Sequence, residues 1–340
     1  MKSHPADLGH VLAHYFPDAS WQVLNMQGSG VNNTTTFIEA NDERYVLRVY
    51  ETHRDEDKVS FEHEVLLKLS ETELPIHTPI PILSRNGLSY VRTNEGKLAA
   101  LFRYIGGKPP ELKDFSQVRQ FGEAAAHLSV ALAGIRTDQD AVYPPYYEIE
   151  HAHPRCSLTQ LLELCADPPA PFADAEQARM LADLAPSIAG LKGELPHLRG
   201  LPHQLIHGDL NASNALSDLS GRICAILDFE FVTYDLRVME AAVFLSDMIR
   251  SSEAAETSLN KMKAFLTGYQ EVVELASEEI RALPSLILLR RLDVLIHFLG
   301  RYFDGIDGPE QVERQIASMH AMTRWLAHHE TCLRDVLAIR

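Results

Sequence analysis

The chain has 340 residues, 46% of them hydrophobic and 23% charged, enough apolar content for one large core or two packed domains. Its formal net charge is −16 with no basic block to offset it, which excludes nucleic acid and an anionic membrane as expected partners. No apolar run reaches bilayer length, Met1 to Asp7 opens no signal peptide, and the four cysteines are scattered, so a cytoplasmic protein with reduced thiols and no zinc site is expected.

Residues 5–16 carry Leu8, Val11, Leu12 and Tyr15 at helical spacing. Three β-rich, alternating runs follow at 21–26, 35–40 and 44–50, and the turn chemistry between them predicts an antiparallel meander. The first turn holds Gly28, Gly30 and Asn33; its glycines let backbone approach a ligand closely, and successive amides there can cradle phosphate. Arg48 breaks the otherwise apolar third strand. Residues 56–72 read as an amphipathic helix, with Val59, Phe61, Val65, Leu66 and Leu69 inward and Glu62, His63, Glu64 and Lys68 outward. Prolines at 75–81 end it, strands at 89–92 and 97–105 follow, and Gly106-Gly107 with Pro109-Pro110 marks a boundary.

Beyond that boundary helices are expected at 114–135, 157–166, 174–193, 236–252, 257–275, 277–303 and 308–337, with a Tyr/Pro/His-rich loop at 138–156. Asp235 is placed to cap the helix at 236. Helix 277–303 is apolar nearly all round, yet Arg290, Asp293, His297 and Arg301 form a polar stripe along it. Such a stripe either pairs its charges internally or lines a pocket. In a pocket, the arginines suit a substrate carboxylate, and Asp293 or Glu230 suits an ammonium.

Gln204–Ile206 and Ile223–Leu227 read as a pair of buried strands holding a polar loop, His207-Gly208-Asp209-Leu210-Asn211-Ala212-Ser213-Asn214. Asp209 precedes Asn214 by five residues, and Asp228 follows Asn214 by fourteen. Phosphoryl transfer needs a carboxylate to orient or deprotonate the attacking hydroxyl, and oxygen ligands for magnesium on the nucleotide phosphates; protein-kinase catalytic loops keep the base and the metal-binding Asn at the same separation. Asp209 is then the expected base, Asn214 and Asp228 the magnesium ligands, and His207 a hydrogen-bonded support for the loop.

The ordered set from His207-Gly208-Asp209 through Asn214 to Ile226-Leu227-Asp228-Phe229-Glu230 resembles the aminoglycoside phosphotransferase and choline/homoserine kinase-like family. The resemblance implies an α+β, two-lobed protein-kinase-like fold. An N-terminal antiparallel β-sheet lobe with one main helix would span 1–105, with a hinge at about 102–107. A larger, mainly helical C-terminal lobe would span 108–340, with catalytic loop 207–214 and metal-binding segment 228–230. It also implies ATP and Mg2+, with the Gly28–Asn33 loop as nucleotide lid and Arg48 standing where protein kinases carry Lys. Glu64, which precedes Val65-Leu66-Leu67-Lys68-Leu69 as in the family's pattern, is expected to align Arg48, with Glu62 as the alternative. The strand end from Phe102 through Tyr104 is expected to meet adenine. The implied reaction moves the γ-phosphate to a hydroxyl of a small amino alcohol or amino acid such as homoserine, in a monomer or homodimer. An aminoglycoside O-phosphotransferase and a non-catalytic nucleotide-binding pseudokinase are the alternatives.

Overall fold

The computed structural model describes residues 5–26, 33–51, 55–250 and 252–337. Gly28 and Gly30 of the expected phosphate loop lie outside the described residues. The elements run α1 (Pro5–Ala13), β1 (Trp21–Val23), β2 (Asn33–Ala40), β3 (Glu43–Tyr50), α2 (Glu56–Leu69), β4 (Val91–Arg92), β5 (Leu98–Arg103) and α3 (Phe115–Gly134). After these come α4 (Leu158–Ala166), α5 (Ala175–Leu198), β6 (His203–Ile206), β7 (Ala215–Ser217), β8 (Ile223–Ile226) and β9 (Thr233–Leu236). The chain ends with α6 (Met239–Asp247), α7 (Ala255–Gln270), α8 (Ser277–Phe303), α9 (Pro309–His328) and α10 (Glu330–Leu337). None of the described helices is long and apolar enough to cross a membrane.

Contacts divide the chain into two units, one of Met1–Pro109, Gly134–Val142 and Asn214–Phe231, the other of Pro110–Ala133, Tyr143–Ser213 and Val232–Arg340. The first passage between them falls close to the boundary expected from the Gly/Pro break. The segment 214–231, expected with the C-terminal lobe, groups instead with the first unit. Its strands are hydrogen-bonded there: His77 donates to Cys224 O at 2.8 Å, Ile226 donates to His77 O at 3.0 Å, and Lys108 and Ser217 exchange backbone bonds of 3.0 and 2.8 Å.

In the first unit, β1 to β5 form one antiparallel sheet in the order β1-β2-β3-β5-β4. The β2–β3 connection is two residues, Asn41 and Asp42, at φ 53° and 62°, flanked by the pair Ala40 and Glu43. Two consecutive left-handed residues match the twist of a tight hairpin, and Asn and Asp tolerate that conformation. Alternation then puts Tyr45, Leu47 and Val49 of β3 on the face covered by Leu8, Val11 and Leu12 of α1, in one core with Ile38 and Leu101. Helix α2 departs from expectation. Glu62 and His63, read as solvent-facing, are 3% and 1% exposed. Both find buried partners: the Tyr50 hydroxyl lies 3.1 Å from His63 Nε2 and 3.5 Å from Glu62 Oε2, and His63 Nδ1 meets Ser89 Oγ at 3.0 Å. Polar groups satisfied in this way can sit in a core.

The second unit is mostly helical. Its core holds a stack of Phe121, Phe244 and Phe265, with ring centroids 4.4 and 4.3 Å apart along the series. Helices α3 and α7 cross there at Gly122 and Gly268; a Cβ on either would fall 2.0 Å from a carbonyl oxygen of the other helix. The two expected strands are both present, in separate ladders: β6 pairs with β9 and β8 with β7, all antiparallel. Strands β7 and β9, Ala215-Leu216-Ser217 and Thr233-Tyr234-Asp235-Leu236, hold no continuous apolar run of the kind that marks β8, so the sequence does not single them out. Asp235, expected as a helix cap, lies inside β9 and is fully buried. The long final helix is broken at His329 into α9 and α10.

Candidate active site

The β7–β8 hairpin in the first unit brings the two expected metal ligands to one end. Ala215 pairs with Ile226, and the Leu227 amide donates to Asn214 O at 2.7 Å, so Asn214 and Asp228 flank the last rung of the ladder. Asp228 has a left-handed backbone, φ 65°. Its Oδ1 is buried without a hydrogen bond, and its countercharge is Arg48 Nη1 at 3.3 Å. A buried carboxylate oxygen with spare lone pairs, close to a carboxamide, fits magnesium, which takes one or two protein oxygens and completes its shell with phosphates and water. Among the described residues no group of three or more His, Cys, Asp or Glu is placed to hold a metal ion.

Arg48 projects from β3 between two carboxylates, with Glu62 Oε1 at 3.4 Å and Asp228 Oδ1 at 3.3 Å, and its guanidinium lies 5.6 Å from the Phe102 ring centre. Burial works against its charge, but Asp228 and Glu62 outweigh that and hold its pKa above the ordinary value. Burial pushes the Glu62 carboxyl up to about 7, opposed by Arg48 and reinforced by Asp228. Glu64, the residue expected to align Arg48, instead pairs with Lys68 at 2.7 Å and accepts the Asp138 amide at 2.6 Å. Glu62, the alternative, is the acid of α2 that contacts Arg48. Asn33 Nδ2 donates to Glu230 Oε2 at 3.3 Å, which ties the start of β2 to the segment after β8. At the expected adenine strand, Phe102 is buried, while the Arg103 and Tyr104 amides donate to Ile80 O and Arg44 O at 3.2 and 3.0 Å.

The second unit carries Asp209. Gly208 precedes it at φ 80°, a left-handed turn that a side chain would strain. Fully buried His207 accepts the Asp209 amide on Nδ1 at 3.2 Å and donates its own amide to Glu240 Oε2 at 2.9 Å. Asn211 Nδ2 donates to Asp209 Oδ2 at 3.2 Å and to its carbonyl at 3.0 Å. Arg290 Nη2 donates to Asp209 Oδ1 at 2.5 Å, and Arg290 Nη1 donates to the Tyr146 hydroxyl at 2.7 Å and lies 3.6 Å from Asp293. Tyr146 in turn donates to Gly208 O at 2.6 Å and, through its amide, to Asp235 at 2.6 Å. Burial raises the Glu240 carboxyl to about 8 and that of Asp235 to about 7, both against the pull of the amides they accept.

The stripe on α8 divides. Arg290 and Asp293 belong to the Asp209 cluster. Arg301, about 16 Å further along the helix axis, is held by Asp307 at 2.6 Å, and His297 between them is exposed. Tyr146 and Glu240 were not singled out in the sequence. A signal for Glu240 was present, since it is the one acid in the first two turns of an otherwise apolar helix, Met239 to Leu245.

The sequence model of the Phosphotransferase enzyme family matches residues 27–275. The chain belongs to that family. Among similar phosphotransferase-family relatives, the homoserine kinase of Methylobacillus flagellatus is 26% identical over 322 residues, 94% of this chain and 92% of that one. The homoserine kinase of Methylobacillus glycogenes is 27% identical over 269 residues, 78% and 76% of the two chains. Among solved structures, amicoumacin kinase hAmiN, in complex with AMP-PNP and Ca2+, superposes with a TM-score of 0.66 at 17% identity, covering 93% and 92% of the two chains. The aminoglycoside phosphotransferase of Alicyclobacillus acidocaldarius gives 0.65 at 15%, covering 96% and 94%. The antiparallel N-terminal sheet followed by a larger helical part is therefore the fold of these kinases.

Proposed function

We propose that this phosphotransferase is an ATP-dependent small-molecule kinase whose acceptor is a hydroxyl of a small amino acid or amino alcohol such as homoserine. The observation that carries the reading is the β7–β8 hairpin end, where Asn214 and Asp228 offer magnesium oxygen ligands and Arg48 supplies a cation for phosphate. The acceptor class is supported by relatives named homoserine kinases, one of them matched over 92% of its length.

Asp209 accepts the hydrogen bond of the acceptor hydroxyl. As the hydroxyl oxygen bonds to the γ-phosphorus, the bond from that phosphorus to the bridging oxygen breaks, ADP departs, and the hydroxyl proton passes to Asp209. Magnesium, when bound, neutralises charge on the phosphate oxygens. Arg48, aligned by Glu62, grips the phosphates. Because the Arg103 and Tyr104 amides are committed within the fold, adenine would be met by backbone after Tyr104. The enzyme works in the cytoplasm, where ATP is at hand.

The test is a coupled ADP assay across homoserine, serine, choline, sugars and aminoglycosides. Homoserine is expected to respond, and Asp209→Asn to lower kcat by about 10²–10⁴-fold with ATP affinity nearly unchanged. Full turnover by that variant would remove Asp209 from the mechanism. A response confined to aminoglycosides would replace the acceptor.

A further inference from the structure

Arg290 donates to the proposed base at 2.5 Å and reaches a second carboxylate and a tyrosine hydroxyl from the same guanidinium. It donates to Asp209 Oδ1 through Nη2 and approaches Asp293 through Nη1, while the second oxygen of Asp209 accepts Asn211 Nδ2 at 3.2 Å. A guanidinium gains most from a carboxylate that offers both oxygens in its plane. Five N–H donors are available on the group. Its side chain is 19% exposed. The helix beneath it does not move easily, since Leu289 and Leu292 on either side are fully buried. Tyr146 braces the guanidinium and bonds the Gly208 carbonyl, so the side chain and backbone of the catalytic loop are held by one pair of residues.

We propose that Arg290 is a latch on Asp209 that the carboxylate of the acceptor opens. With no acceptor bound, the guanidinium occupies Asp209 and restrains it from activating water. An incoming carboxylate takes the guanidinium in a two-point contact, and Asp293 receives the accompanying ammonium. Asp209 then turns to the acceptor hydroxyl. The inference rests on the proposed kinase reading and adds substrate class and regulation to it: acceptors carry a carboxylate, and ATP hydrolysis by water is suppressed until one binds. In that side reaction water bonds to the γ-phosphorus, its proton passes to Asp209, and ADP and inorganic phosphate leave.

The experiment measures ADP release by the whole protein with ATP and Mg2+, without acceptor and with 2-aminobutyrate, which has the carboxylate and ammonium of homoserine but no hydroxyl. For the unsubstituted enzyme, 2-aminobutyrate is expected to raise ATP hydrolysis about tenfold, while propylamine, which lacks the carboxylate, leaves it unchanged. Arg290→Ala is expected to hydrolyse ATP about tenfold faster than the unsubstituted enzyme without any ligand, to ignore 2-aminobutyrate, and to show a raised KM for homoserine. Arg290→Lys keeps the charge and restores part of the restraint. Tyr146→Phe removes the brace and gives an intermediate rise, a second route to the answer if Arg290→Ala does not fold.

Hydrolysis by Arg290→Ala or Tyr146→Phe at or below the unsubstituted rate would overturn the latch, as would equal stimulation by propylamine. If homoserine is phosphorylated yet the variants show no excess hydrolysis, the latch falls and the acceptor reading stands. If the variants hydrolyse faster and 2-aminobutyrate stimulates while homoserine is not phosphorylated, the latch stands and the acceptor is another hydroxylated carboxylate.

Discussion

Glu62 and Glu64 sit two residues apart on α2 and perform unrelated tasks. Glu62 meets Arg48 in the interior, whereas Glu64 ties Lys68 and the Asp138 amide at the rim. Glu62→Gln is expected to raise the KM for ATP about tenfold, since it removes the carboxylate that contacts Arg48, the proposed phosphate-binding cation. Glu64→Gln should leave that KM within about twofold, since Glu64 contacts Lys68 and the Asp138 amide rather than Arg48. Steady-state kinetics in ATP distinguishes the two, and equal effects would refute the assignment. The misreading has a definite source. Residues two apart on a helix lie about 200° apart, so an error of two positions reverses the face. The sequence shows both glutamates beside an apolar run but not that Tyr50 and Arg48 wait inside. The loop from His207 to Asn214 was legible because local spacing carries it. Tyr146, 63 residues before Asp209, was not, because its partnership with Gly208 and Arg290 depends on tertiary contact.

At the level of elements, α8 delivers Arg290, and the start of that helix is secured by one buried acid. Glu279, fully buried, accepts Arg237 Nε and Nη2 at 2.7 and 2.6 Å and also the Ala276 amide at 2.8 Å. Arg237→Ala leaves that carboxylate without its cation and is expected to cost about 3–5 kcal/mol, measured by urea unfolding. A loss below about 1 kcal/mol would show that the amide alone suffices. The length and apolar character of α8 were plain from its residues, since twenty-seven positions average out local noise. Strands β7 and β9 carry no apolar run of their own, and they are the strands that pair with the expected ones.

For the whole molecule, the buried acids set the response to pH. Burial holds Glu62 and Asp235 at about 7 and Glu240 at about 8, above the values such groups have in an unfolded chain. The folded state therefore binds more protons than the unfolded state from about pH 4 to pH 8, and stability declines as pH rises through that window. The linkage amounts to about 1.4 kcal/mol per pKa unit for each group. Chemical unfolding between pH 5 and 8 should show that fall, and Glu240→Gln should make it shallower. An unchanged slope in the variant would mean that Glu240 ionises equally in both states. The left-handed backbone at Asp228 bears on stability from another direction. Glycine adopts that conformation without the penalty of about 1 kcal/mol that an L side chain carries. A redesign that scored folding alone would thus choose glycine at 228 and discard the proposed magnesium ligand, so on that proposal thermal tolerance and turnover pull this position toward different residues.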